Sequence, residues 1–186
     1  MHVPTVPSTT TAGSRGALAD KQRAVMRRFP TGVAVVTAFT DGAAPRGMTV
    51  SSLCSLSLDP PILLVCLRSG SPTLEAVLES GRFAVNFLHG DAAPAAQLFA
   101  SGDPDRFDRV GWRPDEEEPD AAGPHLRSCS HAIADCRVAQ CHPAGDHTVV
   151  FGEILDIADS GGPAPLLYGL RSYAHWPHDS GIALRT

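Results

Sequence analysis

Thr49, Ser51, Ser52, Ser55 and Ser57 place five hydroxyls in nine residues. A hydroxyl carried into a core strand costs free energy unless it finds a partner. Two or three can bond back to the backbone. Five read either as an edge that meets a polar ligand or as a hydroxyl-rich strand end. Gly47 stands just before them, where the lack of a Cβ lets backbone and ligand approach closely. Ser69, Ser71 and Thr73 form a second group leading into a predicted helix. The free amides of a helix N-terminus attract anions, and plain N-capping by Ser71 is the alternative. Asp146-His147 follows a glycine and reads as an acid–base pair, a ligand contact or an ordinary turn. No Gly-x-Ser-x-Gly elbow is present for a serine hydrolase, and no glycine-rich phosphate loop or dinucleotide fingerprint. Cys129, His131, Cys136, Cys141 and His142 raise a metal site. Their spacings, six and four intervening residues between the cysteines, are wider than zinc sites use. Positions 136 and 141 face opposite sides of a strand. The group reads as reduced, partly buried thiols.

The elements that must hold these residues follow from pattern. The 186 residues make one domain, with residues 1–16 a loose tail and 17–186 the folded part. Gly 17 and Pro 16 call for many turns and a strand-rich fold. A net charge of −5 argues against nucleic-acid binding by phosphate neutralisation. No apolar run approaches the roughly 20 residues of a membrane span. Five cysteines with no tight pairing, and no leader-like N-terminus, point to a reduced cytoplasmic protein. Of the fifteen Lys and Arg, only Lys21 is lysine, a codon bias with no functional content.

Leu18 to Phe29 is predicted as a short amphipathic helix that ends at Pro30. Gly32 to Phe39 is a buried strand, and Asp41-Gly42 turns the chain back through a strand segment from Arg46 to Leu58. Asp59-Pro60-Pro61 breaks it, and Ile62 to Leu67 is the next strand. Ser71 caps a helix with Pro72 at its first position, and Gly81 ends it. Arg82 to Leu88 is a strand. Asp91 is predicted to cap a helix to Ala100, and 104–110 adds one more helical turn. Residues 113–124 form an acidic surface loop. Strands follow at 131–141 and 147–157, with one or two more in 166–176. Six or seven antiparallel strands with three short helices pack most economically as a closed or nearly closed barrel.

Five motifs, in order, give the chain a family resemblance. They are Phe29-Pro30-Thr31-Gly32-Val33, then Gly47-Met48-Thr49-Val50-Ser51-Ser52 running on to Ser55-Leu56-Ser57-Leu58-Asp59-Pro60-Pro61. Gly81-Arg82-Phe83-Ala84-Val85-Asn86 and Ala144-Gly145-Asp146-His147-Thr148 follow, and Leu166-Leu167-Tyr168 with Tyr173 closes the series. Together they resemble the short-chain flavin reductases, the reductase components of two-component flavin-dependent monooxygenases. The resemblance implies a mainly β fold, a six-stranded antiparallel FMN-binding split β-barrel with a few short flanking helices, and a homodimer. It implies hydride transfer from NADH or NADPH to N5 of FMN or FAD, with diffusible reduced flavin supplied to a partner monooxygenase. By motif, the implied flavin-binding residues are Gly47, Met48, Thr49, Val50, Ser51, Ser52, Ser55 and Asn86, with Ser69, Ser71 and Thr73 near the phosphate. His147 is the implied catalytic residue on the nicotinamide side, with Thr31 and Tyr173 nearby. Val50-Ser51 stands where the family often has Ala-Asn, and Cys54 where Thr is common. A non-catalytic flavin-binding barrel is the alternative reading. A pyridoxamine-phosphate-oxidase-like enzyme follows it, short of basic residues near the site, and a metal-binding regulator comes last.

Overall fold

The computed structural model describes residues 12–112 and 120–176. The acidic run 113–119 and most of the predicted tail lie outside the described residues. Helix α1 spans Ala12–Met26, so it begins inside the stretch expected to be a tail. Its expected apolar face exists but packs on little of its own chain. Leu18, Val25 and Met26, with Phe29 just beyond, are exposed large hydrophobics.

Strand β1 (Thr31–Gly32) is split from β2 (Ala34–Phe39). Across the Asp41-Gly42 turn, β2 pairs with β3 (Pro45–Val50). The expected single return strand then divides. Ser51-Ser52 breaks it, and β4 (Leu53–Leu58) leaves in another direction to pair with β5 (Pro61–Arg68). Helix α2 (Pro72–Ser80) matches its punctuation. The Ser71 hydroxyl accepts the Leu74 N–H at 3.2 Å, Pro72 opens the helix, and Gly81 closes it at φ 66°. Strand β6 is Arg82–Leu88.

A 3₁₀ turn at Gly90–Ala92 precedes α3 (Ala93–Ser101). Asp91 does not cap this helix. The His89 ring accepts the Asp91 N–H instead, at 3.2 Å. Residues 104–110 form successive turns rather than the expected helix. At the described end of the acidic loop, Ala122, Gly123 and Pro124 are buried rather than solvated, and the Ala122 N–H donates to Asp135 at 2.7 Å. Strands β7 (Ser130–Ala144), β8 (His147–Asp159), β9 (Leu166–Gly169) and β10 (Ser172–His175) complete the chain.

The main sheet is antiparallel and has seven strands, in the order β3-β2-β6-β7-β8-β5-β4, with a second sheet β1-β9-β10 beside it. The expected count of six fails because Arg46 to Leu58 is two strands. The order also explains the closure. β3 and β4 lie at opposite ends of the sheet, yet two residues join them. The sheet must therefore curl until its edges meet. At that junction Ser52 continues the β4–β5 ladder by one rung, with its hydroxyl donating to the Cys66 carbonyl at 2.8 Å and its carbonyl accepting the Cys66 N–H at 3.2 Å. Phe83, Leu67, Val65, Val85 and Val150 fill the barrel, all fully buried. Burial of each such side chain contributes about 1.5–3 kcal/mol. A second cluster, with Leu88, Phe99, Leu126 and Leu166, seats α3 and the small sheet.

Candidate active site

Two adjacent clefts open where the seam of the barrel meets the small sheet. One, of about 180 Å³, is lined by Thr49, Ser51, Ala100, Tyr168 and Tyr173. The other, of about 130 Å³, is lined by Thr31, Ser51, Leu53, Phe87, His131 and Leu166. Val33 and Ser51 belong to both and form their common wall. Strand pairing sets the positions. Thr31 stands opposite Tyr168 on β9, and Tyr173 stands opposite Tyr168 from β10. The two tyrosine rings lie 5.2 Å apart, and burial pushes the Tyr173 phenol above its ordinary pKa. A cavity of about 150 Å³ holds a benzene ring. Each cleft is therefore ring-sized, with an apolar floor and a hydroxyl rim, and suits a planar heterocycle with one polar edge.

The structure brings together Thr31, Thr49, Val50, Ser51 and Tyr173 of the predicted set. Ser51 is exposed at the mouth, while the Thr49 hydroxyl is spent on the Ala96 carbonyl at 2.7 Å and that of Ser52 on the Cys66 carbonyl. Val50 belongs to the core and also lines the larger cleft. Met48 packs against the core and accepts a long contact from the Ser71 hydroxyl at 3.8 Å. Ser55 is exposed on β4. Gly47 has a different reason to be glycine than the one expected. A Cβ there would lie 3.0 Å from Phe99 Cε1 and 3.1 Å from Phe107 Cζ, so side-chain packing, not a ligand, requires its absence.

Other predicted residues sit elsewhere. Asn86 is fully buried. Its Nδ2 donates to the Val35 carbonyl, to Thr37 Oγ1 and to the Pro124 carbonyl, and its Oδ1 accepts the Leu126 N–H at 2.7 Å. It ties β6 to β2 and to the 124–126 segment and lines neither cleft. Thr73 is buried in α2, and Ser71 is the cap of that helix. The Ser69 N–H donates to the Asp146 carbonyl at 3.0 Å, which joins Ser69 to the Asp146-His147 corner. There His147 stands opposite Arg68 on β5 and its Nδ1 lies 2.9 Å from Asp146 Oδ1. That hydrogen bond is the leading cause holding the Asp146 carboxyl below its ordinary pKa. Thr31 and Tyr173 line the clefts, but His147 lines neither.

Tyr168, Phe87 and His131 also line the clefts and were not among the expected site residues. Tyr168 lay in a quoted motif, and His131 was weighed only as a metal ligand. Among the described residues no group of three His, Cys, Asp or Glu side chains is placed to hold a metal. A larger cavity, about 350 Å³, lies beside the start of α3. Two of its polar side chains are already engaged. The His89 ring bonds the Asp91 N–H and the Ser128 carbonyl, and Arg109 pairs with Asp103 at 2.7 Å.

Residues 26–177 match the family described as flavin reductase like domain. The chain is 46% identical over 155 residues to the flavin reductase (NADPH) of Lentzea aerocolonigenes, covering 83% of this chain and 88% of that one. A nitrilotriacetate monooxygenase component B homologue from Mycobacterium thermoresistibile superposes with a TM-score of 0.82 at 32% identity, covering 92% of this chain and 94% of that one. A Streptomyces globisporus NADH:FAD oxidoreductase, solved in complex with NAD and FAD fragments, superposes with a TM-score of 0.78 at 29% identity, covering 94% and 100%.

Proposed function

The chain belongs to the flavin reductase-like domain family, and on that premise we propose that it is an NAD(P)H:flavin oxidoreductase supplying reduced flavin to a monooxygenase. The observation that carries the reading is the pair of ring-sized clefts meeting at Val33 and Ser51. Hydride transfer requires the two rings to be stacked face to face at near-contact distance, and adjoining clefts that share Val33 and Ser51 support a flavin ring with a nicotinamide laid on it. The flavin, FMN or FAD, and the reduced nicotinamide, NADH or NADPH, supply the hydride chemistry themselves when bound. What remains for the protein is position, and alignment at near-contact distance is worth roughly 7–11 kcal/mol of barrier.

Each residue then has a limited task. Ser51 offers an uncommitted hydroxyl at the mouth, and the 47–52 backbone with Ser55 continues that edge for the flavin. Thr31 and Tyr173 present hydroxyls to the polar edges of the bound rings. Leu53, Phe87 and Leu166 keep water from the ring faces. Ser69, beside Asp146 and His147, is the hydroxyl left to meet a phosphate, because Ser71 is engaged as a cap and Thr73 is buried.

We further propose a homodimer. Ligand sites for drug-sized molecules enclose about 300–1,000 Å³, so neither cleft encloses a three-ring flavin within one chain. Strand β4, which contributes Leu53 to the smaller cleft, runs on into exposed Leu56 and Leu58. A second copy seated there would wall the site. No helix among the described residues is long and apolar enough to cross a membrane. We also propose a cytoplasmic location, a reading that five free cysteines and the use of a reduced nicotinamide support.

The test mixes purified protein with NADH or NADPH and with FMN or FAD, and follows the nicotinamide absorbance band. Loss of that band only when flavin is present is the expected result. Flavin binding without oxidation of either nicotinamide would leave the non-catalytic flavin-binding barrel instead.

A further inference from the structure

The strand edge assigned to flavin is fastened from behind by a side chain outside the expected site set. Arg106 stands in the turns that follow α3. Its Nε donates to the Gly47 carbonyl at 3.1 Å, and its Nη1 donates to the Asp103 carbonyl at 2.7 Å. The guanidinium also lies over the Phe107 ring, 5.9 Å from its centroid. Two residues along β3, the Thr49 hydroxyl donates to the Ala96 carbonyl of α3 at 2.7 Å. Residues 47 and 49 are thus tied to one block, made of α3 and the turns after it. That block is also a wall of the site. Ala100, near the end of α3, lines the larger cleft with Thr49, Val50 and Ser51. The width of this cleft is therefore the separation of β3 from α3, and the bonds of Arg106 and Thr49 set it.

We propose that Arg106 is a positioning residue for the flavin. It fixes the Gly47 carbonyl to the Asp103 turn, and so holds the 49–51 edge at the distance from Ala100 that a flavin ring requires, without touching the flavin. This rests on the flavin reductase reading of the cleft. A guanidinium suits the task because its donors are set in a planar fork, so two carbonyls bound to it are fixed relative to each other. Its positive charge strengthens both bonds over those of a neutral donor. Burial, and then the neighbouring Arg46 charge, lower its pKa, yet a guanidinium stays charged near neutrality. Asp103 steadies the far end of the clamp. Its carboxylate accepts the Asp105 N–H at 2.9 Å and pairs with Arg109 at 2.7 Å. Gly47 contributes in a different way. Phe99 and Phe107 press where its Cβ would stand, so a methyl there displaces ring edges. Loss of the guanidinium instead releases the backbone that carries the flavin edge.

The experiment titrates riboflavin and FMN separately against the protein, read by quenching of flavin fluorescence, with thermal unfolding of the same samples. Wild type is compared with Arg106→Met, Arg106→Gln, Arg106→Lys and Arg109→Ala. Methionine keeps the stem over Phe107 and removes the donors. Glutamine keeps one neutral donor that does not span both carbonyls. Arg109→Ala breaks an ion pair of the same turn and leaves the Gly47 bond in place. Loss of one hydrogen bond weakens binding about three- to tenfold. Arg106→Met is expected to lose that much affinity for riboflavin and FMN alike, with a smaller shared loss in Arg106→Gln. Arg106→Lys, which keeps a charged donor for the Gly47 carbonyl, is expected to recover most of it, and Arg109→Ala to bind as wild type does. If Arg106→Met does not fold, Arg106→Gln decides by the same comparison. A loss for FMN alone would make Arg106 a phosphate contact, and that outcome overturns the proposal. So does unchanged affinity in the folded variants, whatever their unfolding temperature. An equal loss in Arg109→Ala also overturns it, because the effect would then come from a loosened turn. Wild type that binds neither flavin would overturn the flavin reading and this proposal together. Wild type that binds flavin yet oxidises no nicotinamide would overturn the reductase reading alone, and the variants would still decide the role of Arg106.

Discussion

Asn86 and Ser51 were both expected to meet flavin, and their surroundings now predict opposite behaviour. Asn86 satisfies four buried backbone or hydroxyl partners. Asn86→Ala strips the Leu126 N–H of its partner, while the Pro124 carbonyl keeps the Thr37 hydroxyl at 2.7 Å, and breaking such a network costs about 2–4 kcal/mol. Urea unfolding checks the loss. Flavin affinity measured below the unfolding transition should hold, and a fall in affinity at unchanged stability would return Asn86 to the site. Ser51 makes no comparable internal bond. Ser51→Ala is expected to leave stability within about 0.5 kcal/mol and to weaken flavin binding about three- to tenfold, read by flavin fluorescence. Cys136 gives a pH prediction. Burial, and then the Asp135 charge, push its thiol from 9.0 up to about 12. The unfolded chain releases that proton first, so the stabilisation is present below pH 9 and is lost as pH rises toward 12. Urea midpoints across that alkaline window should fall, and Cys136→Ala should flatten that part of the profile.

Among the elements, those set by neighbouring residues were legible in the sequence. Ser71, Pro72 and Gly81 bracket α2 within a few residues, and they do in the fold what their types predict. β6 is likewise bounded as expected, because Gly81 punctuates its start. The division of β3 from β4 was not legible. Nothing in Val50-Ser51-Ser52-Leu53 marks a break, which comes from the barrel having to bring its edge strands together. The turn before α3 was misread because its capping side chain is a histidine, outside the usual capping types. The site divides the same way. The hydroxyl run 49–57 is visible as a spacing. The approach of Tyr168, Tyr173 and His131 to Ser51 depends on the small sheet and a bulge, which carry no local mark. Gly47 tests the correction made at this scale. Gly47→Ala forces a methyl against Phe99, Phe107 and Thr37, and overpacking of that kind costs about 1–3 kcal/mol. Thermal unfolding should show the loss, with flavin affinity of the folded protein changed little. A loss of flavin affinity without destabilisation would restore the close-approach reading.

At the scale of the molecule, the chain leaves apolar surface that one copy does not cover. Leu58 is 88% exposed and Ile157 52% exposed, with Leu56 and Leu155 also open. Leu58 pairs with Pro61, and the next residue, Ile62, pairs with Glu153 on β8, so these side chains belong to neighbouring stretches of one sheet. Apolar patches of this kind mark association sites on soluble proteins, and closed two-fold dimers are the commonest solution. β4 joins that patch to the smaller cleft through Leu53. Assembly and flavin binding are therefore coupled if the partner covers β4. A charge placed in the patch tests both at once. Leu58→Asp and Ile157→Asp each put a carboxylate where a dry contact is required, at a cost of several kcal/mol when buried unpaired. Light scattering should find wild type dimeric at micromolar concentration and both variants monomeric. The monomers should stay folded by circular dichroism, since neither side chain belongs to the core, and should bind flavin more than tenfold more weakly. Dimeric variants with full affinity would move the interface off this face. Monomers with full affinity would show that one chain completes the flavin site alone.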